Sequence, residues 1–383
     1  PKFCARESRV ELRVQMQAVV ASATGRYSDV LSLCTVPKPE LLPGTALVRV
    51  LSAGLAFPDV LVVEGKHMMR KEPPFTPGQE ICGQVVAVGE GVTTVAVGQQ
   101  VFGPCVSGGL AEFALIDAGE CFSAPAAMDP HTAAGFELNY GTSWHGLVDL
   151  AGLRAGETLL VLGASGGIGL SAIAIGLARG ARVVAAASSD ARLDACRQAG
   201  AHVALSYAGG GKALKAALAE AAVYGEVDVV LDPVGGELAE VAFRALGWGG
   251  RFLVVGFASG GAAPKTAIPQ LPLNLALLNE RRVARHVASP ACRRARCLLG
   301  GVEGARARLP PRQHRGDARA RRAWRAAPTA RARVPASRVA RRIRRPDGTP
   351  CGGQGVHRSR HHRGGALVTR ARRAARLQLH VRA

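Results

Sequence analysis

The sequence predicts an α/β chain in two parts, a compact β-barrel-like domain and then a doubly wound parallel sheet, followed by a long basic tail. Three observations carry that expectation. From Met16 to Leu138 short apolar stretches recur between Gly and Pro turns, after Asn139 apolar strands alternate with amphipathic helices, and after Val283 both patterns stop.

In the first part, strands are expected at residues 17–23, 45–52, 81–88, 100–102 and 111–116. The turns between them are Pro37-Lys38-Pro39, Pro43-Gly44, Pro77-Gly78 and Gly89-Glu90-Gly91. Close strand spacing with such turns favours a barrel over a helical fold. This domain is assigned residues 16–139, after an N-terminal extension of residues 1–15. The extension has Lys2, Arg6, Arg9 and Arg13 among Glu7 and Glu11 and no apolar run, which excludes a secretory signal. A cytoplasmic location is expected, with a mitochondrial presequence as the alternative, and Met16 is a plausible start.

In the second part, residues 140–270, a strand at 158–162 leads into a helix at 167–179, where Leu170, Ile173, Ala174 and Leu177 share one face. Strands at 182–187, 202–205, 227–232 and 251–256 follow, separated by helices at 190–199, 211–223 and 236–246. Repeated β-α units with apolar strands imply a parallel sheet covered on both faces. The uncharged run 158–178 is long enough to mimic a membrane span, but its five glycines and strand-like start favour strand, turn and helix.

The 383 residues carry 49 Lys+Arg against 28 Asp+Glu, a net charge of +21. Residues 284–383 hold 27 arginines, no lysine and three acids, which leaves −3 for residues 1–283. The body is therefore a mildly acidic globular chain, neither collagen-like nor a highly charged disordered one. The tail has 14 Leu, Ile, Val and Phe together and no Lys, Asn, Phe, Tyr or Met, too little apolar surface for a core at that charge. A GC-rich gene read in a shifted frame yields such a composition; the other reading is an Arg-rich interaction arm that contacts nucleic acid. Nine cysteines without a C-x-x-C pair fit a reducing compartment and form no zinc-finger pattern.

The sharpest motif is Gly163-Ala164-Ser165-Gly166-Gly167-Ile168-Gly169, between an apolar strand and an amphipathic helix. Glycines there let the backbone turn tightly and approach a pyrophosphate, whose charge meets free N–H groups at the helix N-terminus. The second strand ends in Ala187-Ser188-Ser189-Asp190-Ala191-Arg192. Ser188 and Ser189 can donate to a 2′-phosphate and Arg192 can pair with it, while Asp190 is read as the cap of the next helix. NADPH is thus favoured over NADH.

With these motifs the chain resembles the medium-chain dehydrogenase/reductase superfamily, and within it the zinc-independent, zeta-crystallin-like NADPH:quinone oxidoreductases. The resemblance covers about residues 16–283 and includes Ala53-Gly54-Leu55-Ala56-Phe57-Pro58-Asp59, Phe75-Thr76-Pro77-Gly78-Gln79-Glu80, Tyr140-Gly141-Thr142-Ser143, the glycine loop, Asp228-Val229-Val230-Leu231-Asp232-Pro233-Val234-Gly235-Gly236 and Gly250-Arg251-Phe252-Leu253-Val254-Val255-Gly256-Phe257. It implies a GroES-like barrel joined to a Rossmann domain, with the active site between them. It also implies that Gly166, Gly167 and Ile168 contact the pyrophosphate, that Ser188, Ser189, Arg192 and Tyr207 surround the adenosine phosphate, and that Thr142 and Phe257 lie near the nicotinamide ribose.

The departures are informative. Zinc-dependent relatives carry Cys where this chain has Ala56 and His where it has Gln79, so Glu80 alone is left and no metal is expected. Without a Lewis acid, a quinone or conjugated enone is the expected small-molecule substrate, because it accepts hydride with less polarisation than a simple ketone. His67 and Tyr140 are the candidate proton donors to its oxygen; the competing readings are a loop histidine and a packing tyrosine. An enoyl-thioester reductase and a non-catalytic binding protein using the tail are the alternatives.

The family's chain after the last strands makes dimer contacts and then completes the barrel. A homodimer is expected where that segment, which begins at residues 271–283, is intact. The resemblance stops at Val283, so the barrel is expected to lack closing elements.

Overall fold

The strands of the first unit are rich in β-branched and other apolar residues, and those of its larger sheet are buried in consecutive runs. The computed structural model describes residues 14–67, 69–260 and 268–285. All of the expected N-terminal extension before Val14, and the basic tail from residue 286 onward, lie outside the described residues.

Strands β1 (Gln15–Ala21) and β2 (Leu31–Pro37) pair antiparallel across the single turn of α1 (Tyr27–Val30). Strand β3 (Thr45–Gly54), helix α2 (Phe57–Val63) and strands β4 (Glu80–Val88), β5 (Gln100–Pro104), β6 (Phe113–Asp117) and β7 (Phe122–Ser123) follow. The last five strands form an antiparallel sheet in the order β6-β3-β4-β5-β7. Ala46, Val48, Ile81, Val85, Val101, Ala114 and Ile116 are buried together on its concave face.

The sheet curls until the residue after β5 meets β6. Cys105 bridges Ile116, and the Val106 N–H donates to the Leu115 carbonyl at 2.9 Å. This single bridge brings the end of β5 toward β6, while the segment expected to complete the barrel lies outside the described residues. β1 is held against the barrel through Ala18 opposite Ala111 and Ala21 opposite Phe75.

The polypeptide leaves the barrel through α3 (Pro130–Ala134). Asp129 caps this helix, its Oδ1 accepting from the N–H groups of His131 and Thr132, both at 3.0 Å, and Pro130 stands in the first turn where no N–H is needed. A π-helical turn (Glu137–Gly141), the short α4 (Thr142–Trp144) and a second π-helical turn (His145–Leu150) complete the crossing. Aromatic rings line it, with Phe102 against Phe122 and Phe136, and Phe136 stacked on Tyr140 at 4.4 Å.

The second unit is a six-stranded parallel sheet. Its elements are β8 (Thr158–Val161), α5 (Gly167–Ala178), β9 (Arg182–Ala187), α6 (Asp190–Gln198), β10 (Val203–Ser206), α7 (Gly210–Glu220), β11 (Val227–Asp232), α8 (Gly236–Arg244), β12 (Leu246–Val254), α9 (Leu273–Leu278) and β13 (Arg282–Arg285). Strand order is β10-β9-β8-β11-β12-β13, so the winding reverses between β8 and β11. A crevice opens at such a reversal, outside the carboxyl ends of the strands. The run 158–178 resolves into β8, a turn and α5, and among the described residues no helix is long and apolar enough to cross a membrane.

The sheet continues past residue 270, since β13 pairs with β12 in parallel. Its sequence, Arg282-Val283-Ala284-Arg285, is too short and too charged for periodicity to reveal, and register with β12 defines it. β2 and α2 were likewise not expected from the sequence; β2 has no buried residue to set a pattern, and α2 begins at a Phe57-Pro58 pair that reads as a turn.

Arg251 on β12 binds the near end of this sheet together. Its guanidinium pairs with both carboxylate oxygens of Glu157, at 3.1 and 2.6 Å, and donates to the Ala151 carbonyl at 3.0 Å. Both side chains are largely buried, so removing one partner strands the other. Glu157→Ala is expected to destabilise the protein by about 2–4 kcal/mol in a urea titration, whereas a loss within error would assign the pair no structural weight.

Candidate functional site

β8 ends at the reversal point, and the chain must turn there within a few residues to start α5. Gly163 adopts φ +57°, and a Cβ on it would stand 2.9 Å from Val234 Cγ2 in the turn after β11. The Ala164 N–H donates to the Ala186 carbonyl of β9 at 3.0 Å, which anchors the loop to the neighbouring strand. A Cβ on Gly169 would stand 2.5 Å from the backbone of Ala164, so only glycine lets the helix come this close to the strand end. Gly166 and Gly167 are exposed, and Gly166 caps α5 without any side-chain bond. The first N–H groups of the helix therefore point, unblocked by a side-chain cap, into the crevice.

At the end of β9, Arg192 Nη1 donates to Ser188 Oγ at 2.5 Å. Tyr207, just beyond β10, adjoins both: burial pushes its phenol up, and the Arg192 charge and a hydrogen bond with Ser188 oppose that shift. Ser188, Arg192 and Tyr207 thus form one cluster of donors. Ser189 is the N-cap of α6 and exposed, without a side-chain capping bond. The expected cap, Asp190, is instead the first residue of the helix, where its charge still favours the helix N-terminus.

Thr142 is buried at the start of α4 and Phe257 is 42% exposed on the loop after β12. That loop is held to the turn after β11, since the Ala258 and Ser259 N–H groups donate to the carbonyls of Pro233 and Val234. Asp232 organises the same turn. Its Oδ1 accepts from the N–H groups of Val234 and Gly235 at 2.8 and 2.9 Å, and burial raises its carboxyl to about 6 against the pull of those two bonds.

On the barrel side, Tyr140 is half-buried against Phe136, and burial pushes its phenol upward. His67 is half-buried in the loop after α2, where its Nδ1 accepts from the Met69 N–H at 3.2 Å. A cavity of about 250 Å³ next to that loop has Asp59, Val62, Met69, Arg70, Lys71 and Gln79 in its walls. The Ala56 side chain offers no ligating atom. Glu80 is engaged: its Oε2 accepts from the Leu138 N–H at 3.0 Å, and burial holds its carboxyl well above the usual carboxylate range. The structure thus clusters Ser188, Arg192 and Tyr207, sets the glycine loop beside the turn after β11, and leaves His67 turned onto its own loop.

Sequence reasoning passed over Asn139, Ser143 and Ser171. The Ser143 and Ser171 hydroxyls are fully buried 2.7 Å apart; both reach the Ile168 carbonyl, and Ser171 also reaches that of Asn139. The one available signal was Ser143 itself, inside a motif read only for Tyr140 and Thr142.

Two family profiles match the chain: an alcohol dehydrogenase GroES-like domain over residues 42–126 and a zinc-binding dehydrogenase over residues 167–294. Quinone oxidoreductase-like protein 2 of Bos taurus is 36% identical over 243 residues, which are 63% of this chain and 67% of that protein. The polyketide synthase GfsB of Streptomyces halstedii is 38% identical over 225 residues, 58% of this chain and 4% of that one. Among solved structures, a probable oxidoreductase from Mycobacterium abscessus aligns with TM-score 0.63 and 31% identity over 74% of this chain and 84% of its own. The quinone oxidoreductase of Thermus thermophilus, also solved in complex with NADPH, aligns with TM-score 0.60 and 30% identity over the same shares.

Asp232 generates a pH dependence whose sign is fixed by its raised carboxyl. The contribution of this group to stability is full below the unfolded value near 4 and is lost as pH rises through about 6, a decline of roughly 3 kcal/mol. Asp232→Asn keeps Oδ1 as acceptor and removes the ionisation, so its stability should decline less steeply from pH 4 to 7 than the parent's, the remaining slope belonging to other buried carboxyls such as Glu80, as read by denaturant titrations at each pH.

Proposed function

The chain belongs to the quinone oxidoreductase family of the medium-chain dehydrogenases/reductases, and from that premise we propose that it is an NADPH-dependent reductase of quinones or conjugated enones that works without a metal. The observation that carries this reading is the pairing of an open, glycine-lined helix N-terminus at the reversal of the sheet with the Ser188, Arg192 and Tyr207 cluster one strand away.

The residues present fit the cofactor. A Cβ on Gly166 would meet only the Gly163 carbonyl at 3.4 Å, so the crevice side of the loop is clear for a diphosphate. Gly163 and Gly169 shape the turn, the backbone of Gly166, Gly167 and Ile168 would hold the pyrophosphate, and Ser188, Ser189, Arg192 and Tyr207 the 2′-phosphate. Thr142 and Phe257 would flank the nicotinamide ribose. The cofactor, when bound, supplies hydride from its nicotinamide ring.

The chain's own contribution is orientation, exclusion of water and stabilisation of the negative oxygen that forms on the substrate. Ala56 and Gln79 leave no ligand pair for zinc, and the buried, hydrogen-bonded Glu80 serves the junction. An acceptor that is already electron-poor suits such a site, with Tyr140 or His67 as the group that hands on the proton. A second reading, reduction of an enoyl thioester, is supported by the match to a segment of a polyketide synthase.

Fluorescence titration should show NADPH binding tighter than NADH, and Arg192→Ala should weaken NADPH by about 10–100-fold while sparing NADH, the effect of one charge-assisted contact. NADPH oxidation with a benzoquinone should proceed undiminished in EDTA. Tight NADPH binding without turnover across a panel of quinones and enones would defeat the proposal, and faster turnover with crotonyl-CoA than with benzoquinone would favour the thioester reading.

A further inference from the structure

Asn139 is none of the residues assigned to the cofactor, yet it is tied to α5 at two points and to the end of α3 at a third. Its side chain lies against the Cα of Gly167, the first residue of α5, where a Cβ would collide with Asn139 Oδ1. Its Nδ2 donates to the Gly135 carbonyl at 2.7 Å, one turn back toward the barrel, and its own carbonyl accepts from Ser171 Oγ of α5 at 3.0 Å. The buried Ser143–Ser171 pair adds a second tie between the crossing segment and the same helix, and neither hydroxyl can let go without stranding a buried polar group. One residue before Asn139, the Leu138 N–H is held by Glu80 of β4. One and three residues after it come Tyr140 and Thr142.

We infer that Asn139 is a positioning residue: it sets the spacing between the pyrophosphate turn and the segment carrying Tyr140 and Thr142, and it must be a neutral amide because it stands beside the helix N-terminus that receives the diphosphate. The inference rests on the NADPH reading above. Gly167 lacks a Cβ and so admits the amide; the amide in turn defines how near the crossing segment approaches the loop. Hydride transfer needs the reacting atoms within about 3–3.5 Å, and a misplacement of about 1 Å costs on the order of 100-fold in rate, so a small slide of this segment is felt in turnover before it is felt in binding. A carboxylate in the same place would be drawn to the positive end of α5 and would oppose the cofactor's own charge.

The test uses the full chain with NADPH and a benzoquinone. Asn139→Ala is expected to bind NADPH within about threefold of the parent and to lose about 10–100-fold in kcat, with KM for the quinone little changed. Asn139→Asp, equal in size, is expected to weaken NADPH binding at least tenfold, with much of the loss recovered as ionic strength rises. Ser171→Ala removes the bonds to the Asn139 carbonyl, the Ser143 hydroxyl and the Ile168 carbonyl together and should reproduce part of the kcat loss. A merely structural role predicts lowered Tm with normal kcat per folded molecule and no salt dependence. Full kcat in Asn139→Ala, or parent-like binding in Asn139→Asp, overturns the inference while NADPH binding by the parent stands. Absence of NADPH binding by the parent overturns the functional reading and this inference with it.

Discussion

A helix must begin within a few residues of the end of a buried strand, and the backbone must do this without side chains between it and the crevice. That constraint at residues 163–169 governs the rest of the site. Gly163 turns the chain with a left-handed φ and stays clear of Val234, and Gly169 lets α5 lie on Ala164. Gly166 and Gly167 expose the helix N-terminus. Because β8 is buried on both faces and is paired with both β9 and β11, the turn cannot relax by moving the strand. The helix start without side-chain caps therefore follows from a packing requirement, and its free N–H groups come with it.

The segment from Pro130 to Leu150 transmits that geometry to the barrel. It carries little regular α-helix, and its ties are specific. Phe136 meets Phe102 edge-on on the barrel side, Glu80 holds the Leu138 N–H, and Ser143 with Ser171 fixes it to α5. π-Helical turns place successive side chains at a different angle from an α-helix, which lets Asn139 face Gly167 while Tyr140 faces Phe136. Buried acids recur at these points. Glu80 and Asp232 each accept from backbone N–H groups and are each held above the ordinary carboxylate range by burial, so they act here as acceptors that shape turns.

The two units, their order and the glycine loop were legible in the sequence, because apolar periodicity and turn residues are local properties that a buried parallel sheet and a tight turn impose directly. Ser188 and Arg192 were legible as types just after β9, and Tyr207 only through the family resemblance. That Arg192 donates to Ser188 and that Tyr207 adjoins both required the parallel register of β9 and β10, which brings Ser206 level with Ala187. Asp190 was read as a cap on residue type alone, and the backbone put Ser189 in that position.

What the sequence by itself determined is the class of fold, the place of the glycine turn between β8 and α5 and the absence of Cys and His at positions 56 and 79; each rests on residue type at fixed spacing. The tertiary structure decided how Cys105 comes to bridge Ile116, how a sixth strand joins the parallel sheet at Arg282–Arg285, and how Asn139 comes to rest on Gly167. These are contacts between residues distant in sequence, or between backbones with no side-chain signature. Only folding, by burying some polar groups and pairing others, selects among the many contacts the same residues could make.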